Sequence, residues 1–402
     1  MRTSGGRIRR AGKRPQRAEM KGTDNILKYD MTSFAERLDL AGLFIMAVAL
    51  PLSEGAKNIG FAVAVLGFLL SFRRKRGLII TAFGFGLLAL FLSGALSTIT
   101  ALDQRASVKG LWDVFRYGMV FLVAANSVIT EGEGRAVIWG LLASLAIGGL
   151  WGAAVMQSAG KPLEILSLGH SNHTGIFVSM AAAVSLCLFL FGRGRSERAL
   201  FAFATAFFMI ILLFTASRGA FLAFMAAAIA ILAFRYSCSK VKAAALLAVL
   251  VICTIGYFYS PLNVKSGAYD SERFKIWRIS MRSFEAHPLS GIGLNNFYLS
   301  GSEMTLSHAH NLYVNTLVQN GVIGAAALAA VLAGAATLLW KARGLRSADP
   351  LYGRTVWYGA LGVYVIVIVA GLTNTTLHHE HAIFFTLAMG LLAAASRTRR
   401  SD

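Results

Sequence analysis

Charge is scarce in this sequence. Only 14% of its 402 residues are Asp, Glu, Lys or Arg, against about 25% in a soluble globular domain. Hydrophobic residues make up 56%, and the mean hydropathy is +0.61. That balance excludes an ordinary soluble protein. Proline is rare, at 6 residues, whereas the 40 glycines fall largely in Ala-, Leu- and Phe-rich runs. Membrane helices that approach one another through small residues have this habit. Short segments of strictly alternating polarity are missing, which speaks against a membrane β-barrel. The three cysteines, Cys187, Cys238 and Cys253, suggest neither a disulfide nor a cysteine-based metal site.

What the sequence does contain is a series of long apolar runs. A helix needs ~20 residues to cross the hydrocarbon core. On that basis the fold is all-α and polytopic, with about twelve spans at 38–53, 58–72, 78–99, 109–129, 136–156, 174–191, 199–216, 219–234, 243–259, 312–340, 355–373 and 382–396. Residues 1–37 hold ten of the 39 Lys and Arg and lack a signal-peptide cleavage site, so they read as a basic, disordered cytoplasmic tail. Spans one to nine occupy 38–259 and one long outer loop occupies 260–311. Spans ten to twelve occupy 312–396, and 397–402 form a basic cytoplasmic end.

With the tail inside, 28 of the 39 basic residues fall on the inner side, including Arg73-Arg74-Lys75-Arg76. Moving the register by one span would put several of these clusters outside, so the alternating arrangement is preferred. The net charge of +20 then reads as a topology signal and a contact for anionic membrane lipids, with no nucleic-acid partner. The same arrangement places all eight histidines and the long loop on the outer side. The middles of the spans are nearly free of charge, unlike those of a transporter with a polar mid-membrane path.

Three segments carry chemistry. Arg218, in Thr215-Ala216-Ser217-Arg218-Gly219, lies at the outer boundary with no acidic residue within fifteen positions. A guanidinium fork there fits phosphate oxygens, or more blandly a lipid headgroup. In Ser271–Phe284 the bases Lys275, Arg278 and Arg282 recur at helical spacing beside Ile276, which predicts an amphipathic surface helix with Lys275 and Arg282 as lipid anchors. The turn that follows, Pro288-Leu289-Ser290-Gly291-Ile292-Gly293, offers backbone N–H groups to an anion. In His308-Ala309-His310-Asn311, followed by Gly321-Val322-Ile323-Gly324, an imidazole at the membrane surface can take a proton. The plainer reading is a solvated polar residue at a helix start. The run His378-His379-Glu380-His381 invites a zinc reading, but adjacent residues on a short loop converge poorly and the i, i+4 spacing is absent. Asp113 and Arg116, one turn apart, read as an internal ion pair.

Arg218 followed by Leu222 resembles the R-x3-L motif of the O-antigen ligase family. His310-Asn311, nine residues, then Gly321-x-x-Gly324 resembles that family's H-[N/S/Q]-x9-G-x-x-G motif. Arg273-x3-Trp277 and the Pro288–Gly293 turn are similar to the segment preceding it in the same superfamily, and His170-Ser171-Asn172-His173 resembles a polar patch of that superfamily. The resemblance implies a membrane glycosyltransferase of the inner membrane with a periplasmic site. Its donor would be a glycan on undecaprenyl pyrophosphate, and its acceptor a hydroxyl of lipid A–core or of another glycan. It implies His310 as general base, with Arg218 and Arg273 on the pyrophosphate. Asn311, Arg278, Asn172, His308, Gly291 and Gly293 would be substrate-binding. Helical spacing separates Arg273 from Arg278, so only one should face the pyrophosphate. The activated donor needs no nucleotide, and no Asp-x-Asp pair is present to hold a metal, so no cofactor is expected. A Wzy-type polymerase, a protein O-oligosaccharyltransferase and a non-catalytic exporter are the alternatives.

Overall fold

The computed structural model describes residues 37–72, 77–157, 161–236, 268–299, 308–347 and 351–401. The expected tail up to residue 36, the ninth span at 243–259, parts of the outer loop, Arg73 to Arg76, Cys238 and Cys253 lie outside them. The described residues form twelve α-helices: α1 (37–49), α2 (Glu54–Ser71), α3 (Ala82–Ile99), α4 (Gln104–Ser127), α5 (Glu131–Gln157), α6 (Ser171–Phe191), α7 (Arg195–Phe214), α8 (Arg218–Arg235), α9 (Ala268–Ala286), α10 (Leu312–Lys341), α11 (Leu351–Gly371) and α12 (His379–Ser401). The protein is an all-α polytopic membrane protein.

Eight of these helices (α2, α3, α5, α6, α7, α8, α10 and α11) are long and apolar enough to cross a membrane. The expected spans at 38–53, 109–129 and 382–396 are helical but fall outside the eight. The described part of α1 is short, α4 carries Arg105, Lys109, Asp113 and Arg116, and α12 opens on His379-Glu380-His381. α9 is amphipathic as predicted. Ile276 is buried while Lys275, Arg278 and Arg282 are exposed.

Helix starts follow local rules. Ser53, Thr81, Asp103 and Asn311 each stand in extended backbone and accept a first-turn N–H, capping α2, α3, α4 and α10. In the core α3 lies along α10, α4 against α12, and α11 against α6 and α8. α3 and α10 approach through glycines. A Cβ on Gly86 would stand 2.7 Å from the Val331 backbone, and one on Gly334 2.7 Å from Phe83. The buried charges sit near helix ends. Asp39 accepts from Ser127 Oγ at 2.7 Å, and Lys57 pairs with Glu54 at 2.7 Å and with Glu380.

α10 is broken at Gly321, whose φ of 63° and ψ of −162° are open only to glycine. The break frees backbone groups that a turn after α9 takes up. Ile292 N–H donates to Val318 O (2.9 Å) and Gly293 N–H to Gln319 O (3.0 Å), while Val322 N–H donates to Pro288 O (2.9 Å). Ser97 Oγ adds a 2.6 Å bond to Gln319 O, tying α3 to the same place. The turn is fixed from its other side by Leu102 N–H to Ile292 O (3.1 Å), Asn296 Nδ2 to Asp103 O (3.0 Å) and Leu294 N–H to Ser107 Oγ (3.0 Å).

Gly321→Ala is therefore expected to lower the thermal midpoint sharply in detergent. The backbone region alone costs about 1–3 kcal/mol, and the new Cβ would meet Leu289 O at 2.2 Å. Gly118→Ala, in the interior of α4 with nothing within 4 Å, is the control. It should be neutral or stabilising by about 0.5–1 kcal/mol. Equal effects of the two changes would contradict this account of the break.

Candidate functional site

Asn311 is the pivot of the His/Gly segment. Its side-chain oxygen accepts from Tyr313 and Val314 N–H, both at 3.0 Å, and its Nδ2 donates to Leu372 O at 3.0 Å. Buried and committed in this way, Asn311 positions the turn and is not laid open to a substrate. His310, just before it, is half-buried at a φ of 48°, a left-handed conformation uncommon outside glycine.

α9 docks on this turn. Trp277 Nε1 donates to Ala309 O at 3.1 Å, and Ile276, Ala309, Ile292 and Val318 form a small separate apolar cluster. Arg273 lies one helical turn before Trp277 and acts electrostatically on His310. Arg278 is exposed on another face. Burial first, then Arg273 and His170, lower the His310 pKa to about 4.

Arg218 opens α8 after a turn of three residues, with Ala216 at a φ of 53°. A Cβ on Gly219 would meet Thr373 Oγ1, so the start of α8 abuts the loop 372–378 that also receives Asn311. Arg218 and the His310 turn therefore flank one loop.

Seven histidines converge here from three chain segments, 170–173, 308–310 and 378–381. His173 has ring neighbours in His170 (6.4 Å), His308 (5.7 Å), His378 (6.4 Å) and His381 (5.2 Å). His308 continues to His310 at 4.3 Å, and His378 to His379 at 3.7 Å. His381 is buried, and its ring nitrogens lie 3.1 Å from His378 O and 2.9 Å from His173 O, joining the starts of α6 and α12. His287, at the end of α9, has no ring contact with the cluster among the described residues. Asn172 is half-buried in the first turn of α6, where its N–H donates to His170 Nδ1 at 3.2 Å. Burial and neighbouring imidazoles push His308 down to about 3 and His378 well below its usual range. Among the described residues, no three of His, Cys, Asp or Glu are arranged to hold a metal ion.

Beneath the cluster lies a cavity of about 60 Å³, bounded by Asp113, Asn295, Asn320, Thr375 and His378. Asn320 Oδ1, Thr375 Oγ1 and His378 Nδ1 are buried without a hydrogen bond among the described residues. The space suits a few waters. Asp113 and Arg116 do form a pair, at 3.0 Å.

Gly291 and Gly293 require correction. The sequence suggested N–H groups aimed at an anion, but the Gly291 N–H donates to His287 O and that of Gly293 to Gln319 O, with both residues buried. Their positive φ values, 71° and 104°, serve the interlock with α10. The sequence reading named Trp277 only as part of a resemblance, without a role, and passed over the polar run Thr373-Asn374-Thr375-Thr376. Four polar residues between two apolar helices were the available signal.

Histidines kept neutral in the folded state make it sensitive to acid. Unfolded imidazoles protonate near pH 6.5, whereas His310 and His308 resist until about 4 and about 3. Below pH ~6.5 the unfolded chain therefore gains protons that the folded chain refuses, and stability falls. The thermal midpoint in detergent should be flat from pH 8 to 7 and drop steadily from 6.5 toward 4. His308→Gln should make the decline shallower. A midpoint indifferent to pH between 7 and 5 would rule this out.

Residues 203–329 match the family model described as O-antigen ligase. The matched segment contains Arg218, Arg273, His310 and the Gly321/Gly324 pair. Enzymes of that family are membrane glycosyltransferases of the ligase or polymerase type. No curated protein matches the chain.

Proposed function

We propose that this protein is an O-antigen ligase-type glycosyltransferase. It would move a glycan from undecaprenyl pyrophosphate to a sugar hydroxyl of lipid A–core at the periplasmic face of the inner membrane. The observation that supports this most directly is the seating of His310 in a turn held by Asn311 and by Trp277 of α9, the helix that also carries Arg273, whose charge acts on His310. A base within the field of a cation suits a reaction that removes a proton from one partner and expels an anion from the other.

On this reading the acceptor oxygen attacks the anomeric carbon from the face opposite the leaving group. Its proton passes to a ring nitrogen of His310 as the new C–O bond forms. The bond from the anomeric carbon to the pyrophosphate oxygen breaks, and undecaprenyl pyrophosphate departs with its charge on Arg273 and Arg218. The sugar inverts. Asn311 and Trp277 act as positioning residues, and Asn172 and His308 line the approach. Arg278 is not assigned to the pyrophosphate, because α9 presents it away from the His310 turn.

The lowered pKa of His310 fits a base that is ready at neutral pH, since its ring is unprotonated above about 4. The acid limb of kcat/KM, which reports the free enzyme, should therefore lie near pH 4. Binding of an anionic donor offsets Arg273, so the limb of kcat should lie at higher pH. Arg273→Gln should lower kcat/KM and move its acid limb upward. A limb at pH 6.5 that ignores this substitution would exclude His310 as the base under Arg273.

The direct test uses the native host with its own gene deleted. Restoring the wild type should return a ladder of capped lipid A–core on a lipopolysaccharide gel. His310→Ala should leave bare core with carrier-linked polymer accumulating, and slow purified transfer about 10²–10⁴-fold. A deletion that leaves single repeat units on the core would make the protein a polymerase. Full activity of His310→Ala would sink the mechanism under either name.

A further inference from the structure

Far from the histidines, a cavity of about 820 Å³ opens between the start of α3 and the ends of α10 and α12. Each of these helices has its other end at or beside the site. Thr81 and Phe85 border the cavity from α3, Leu338 and Lys341 from α10, and Ser396 and Arg397 from α12. Its charged lining groups are the exposed Lys341 and Arg397, and among the described residues no Asp or Glu lines it. Lys341 has no ion-pair partner among the described residues. The hydroxyls are committed elsewhere. Ser396 Oγ donates to Leu392 O (2.7 Å), Thr337 Oγ1 to Ala333 O (2.8 Å), and Thr81 Oγ1 caps α3. What the cavity offers a ligand is positive charge.

A second cavity of about 330 Å³ adjoins the first, sharing Ile80 and Phe85 with it. It runs between α3 and α4 toward Phe91 and Phe115 and has no polar side chain in its lining. Ile80, Phe85 and Leu88 are 55%, 61% and 50% exposed along it, so the groove faces the bilayer. A cationic chamber continuous with an apolar groove has the outline of an amphiphile with an anionic head.

We propose that the two cavities hold one anionic phospholipid, its phosphate on Lys341 and Arg397 and an acyl chain between α3 and α4. Charge sets the headgroup, because a lining that carries two cations, and no carboxylate among the described residues, favours a net negative ligand over a zwitterion. Position sets the source. These residues lie at the bundle end where the sequence places its inner basic clusters, beside the leaflet that carries anionic lipid. The polyprenyl donor would hold its pyrophosphate at the opposite end, so this headgroup belongs to a resident lipid. The bound lipid fastens the far ends of α10 and α12, whose near ends carry Asn311 and His379.

The test is native mass spectrometry of the purified full chain, titrated with phosphatidylglycerol and with phosphatidylcholine of matched acyl chains. Wild type should take up one phosphatidylglycerol in clear preference to phosphatidylcholine. Lys341→Gln with Arg397→Gln, both at exposed positions, should weaken phosphatidylglycerol about thirtyfold, at ~1 kcal/mol per cation. Gly118→Leu, which fills the groove without touching the head site, should weaken it as well. His310→Ala should bind lipid as wild type does, so the outcome does not depend on the transfer reaction. Equal uptake of the two lipids, or phosphatidylglycerol binding untouched by the double substitution, would overturn the proposal. Binding untouched by Gly118→Leu would remove the acyl chain from the groove and overturn it as drawn.

Discussion

A single backbone interruption organises the site. Inside a membrane protein an unsatisfied peptide group costs several kcal/mol, so a helix cannot simply be broken at Gly321 and left. The carbonyls of Val318 and Gln319 and the N–H of Val322 must find partners, and the turn 288–293 supplies them. That turn is the C-terminal continuation of α9. The break thus draws α9 onto α10, and Trp277 completes the docking at Ala309. Arg273, one turn before Trp277 on the same helix, is thereby brought to where its charge acts on His310. The two glycines of the His/Gly segment serve the same end from the other side. Gly321 leaves room for Leu289 O, and a Cβ on Gly324 would stand 2.0 Å from the Asn320 Cβ.

This explains why some of the site could be read from the sequence and some could not. Apolar runs are a local property, and eleven of the twelve expected spans fall on described helices, eight of them long and apolar enough to cross a membrane. The amphipathic α9 was also legible, because Ile276 and the bases around it encode their faces by spacing alone. The turn Pro288–Gly293 was misread for a physical reason. Glycines with free N–H groups and glycines whose N–H groups meet another backbone have the same sequence, and only the partner distinguishes them. Here the partner is α10, some thirty residues on. Asn311 was read as a ligand, whereas its side chain caps α10, since a cap and a ligand both call for a short amide at a helix start. The buried Lys57 pairs with Glu54 three residues away and with Glu380 far along the chain. Only the first was visible by spacing.

The histidines show the same limit more sharply. Topology reasoning put all eight on one face, yet a face is wide. Convergence of seven into one ring-to-ring cluster depends on α6, α10, the loop 372–378 and α12 ending at one place. His381 contributes to that by bridging two helix starts through backbone carbonyls. Some of the cluster therefore holds helix starts together, and His310, half-buried at its edge, is the member to which the proposed reaction gives the proton.

The electrostatics give the cluster a direction. Burial disfavours the charged imidazoles, and the neighbouring histidines and the charge of Arg273 add to it, so His308 and His310 stay neutral through the physiological range. The fixed positive charge is left to the arginines. An anion arriving at Arg273 is attracted by that charge and cancels the field that depresses His310. Its basicity then rises while the anion is bound and falls again when it leaves. In the proposed reaction this makes the donor's own pyrophosphate the agent that readies the base. Proton abstraction from the acceptor is thereby tied to the presence of a sugar able to receive it, and a hydroxyl that enters without the donor meets the weaker base.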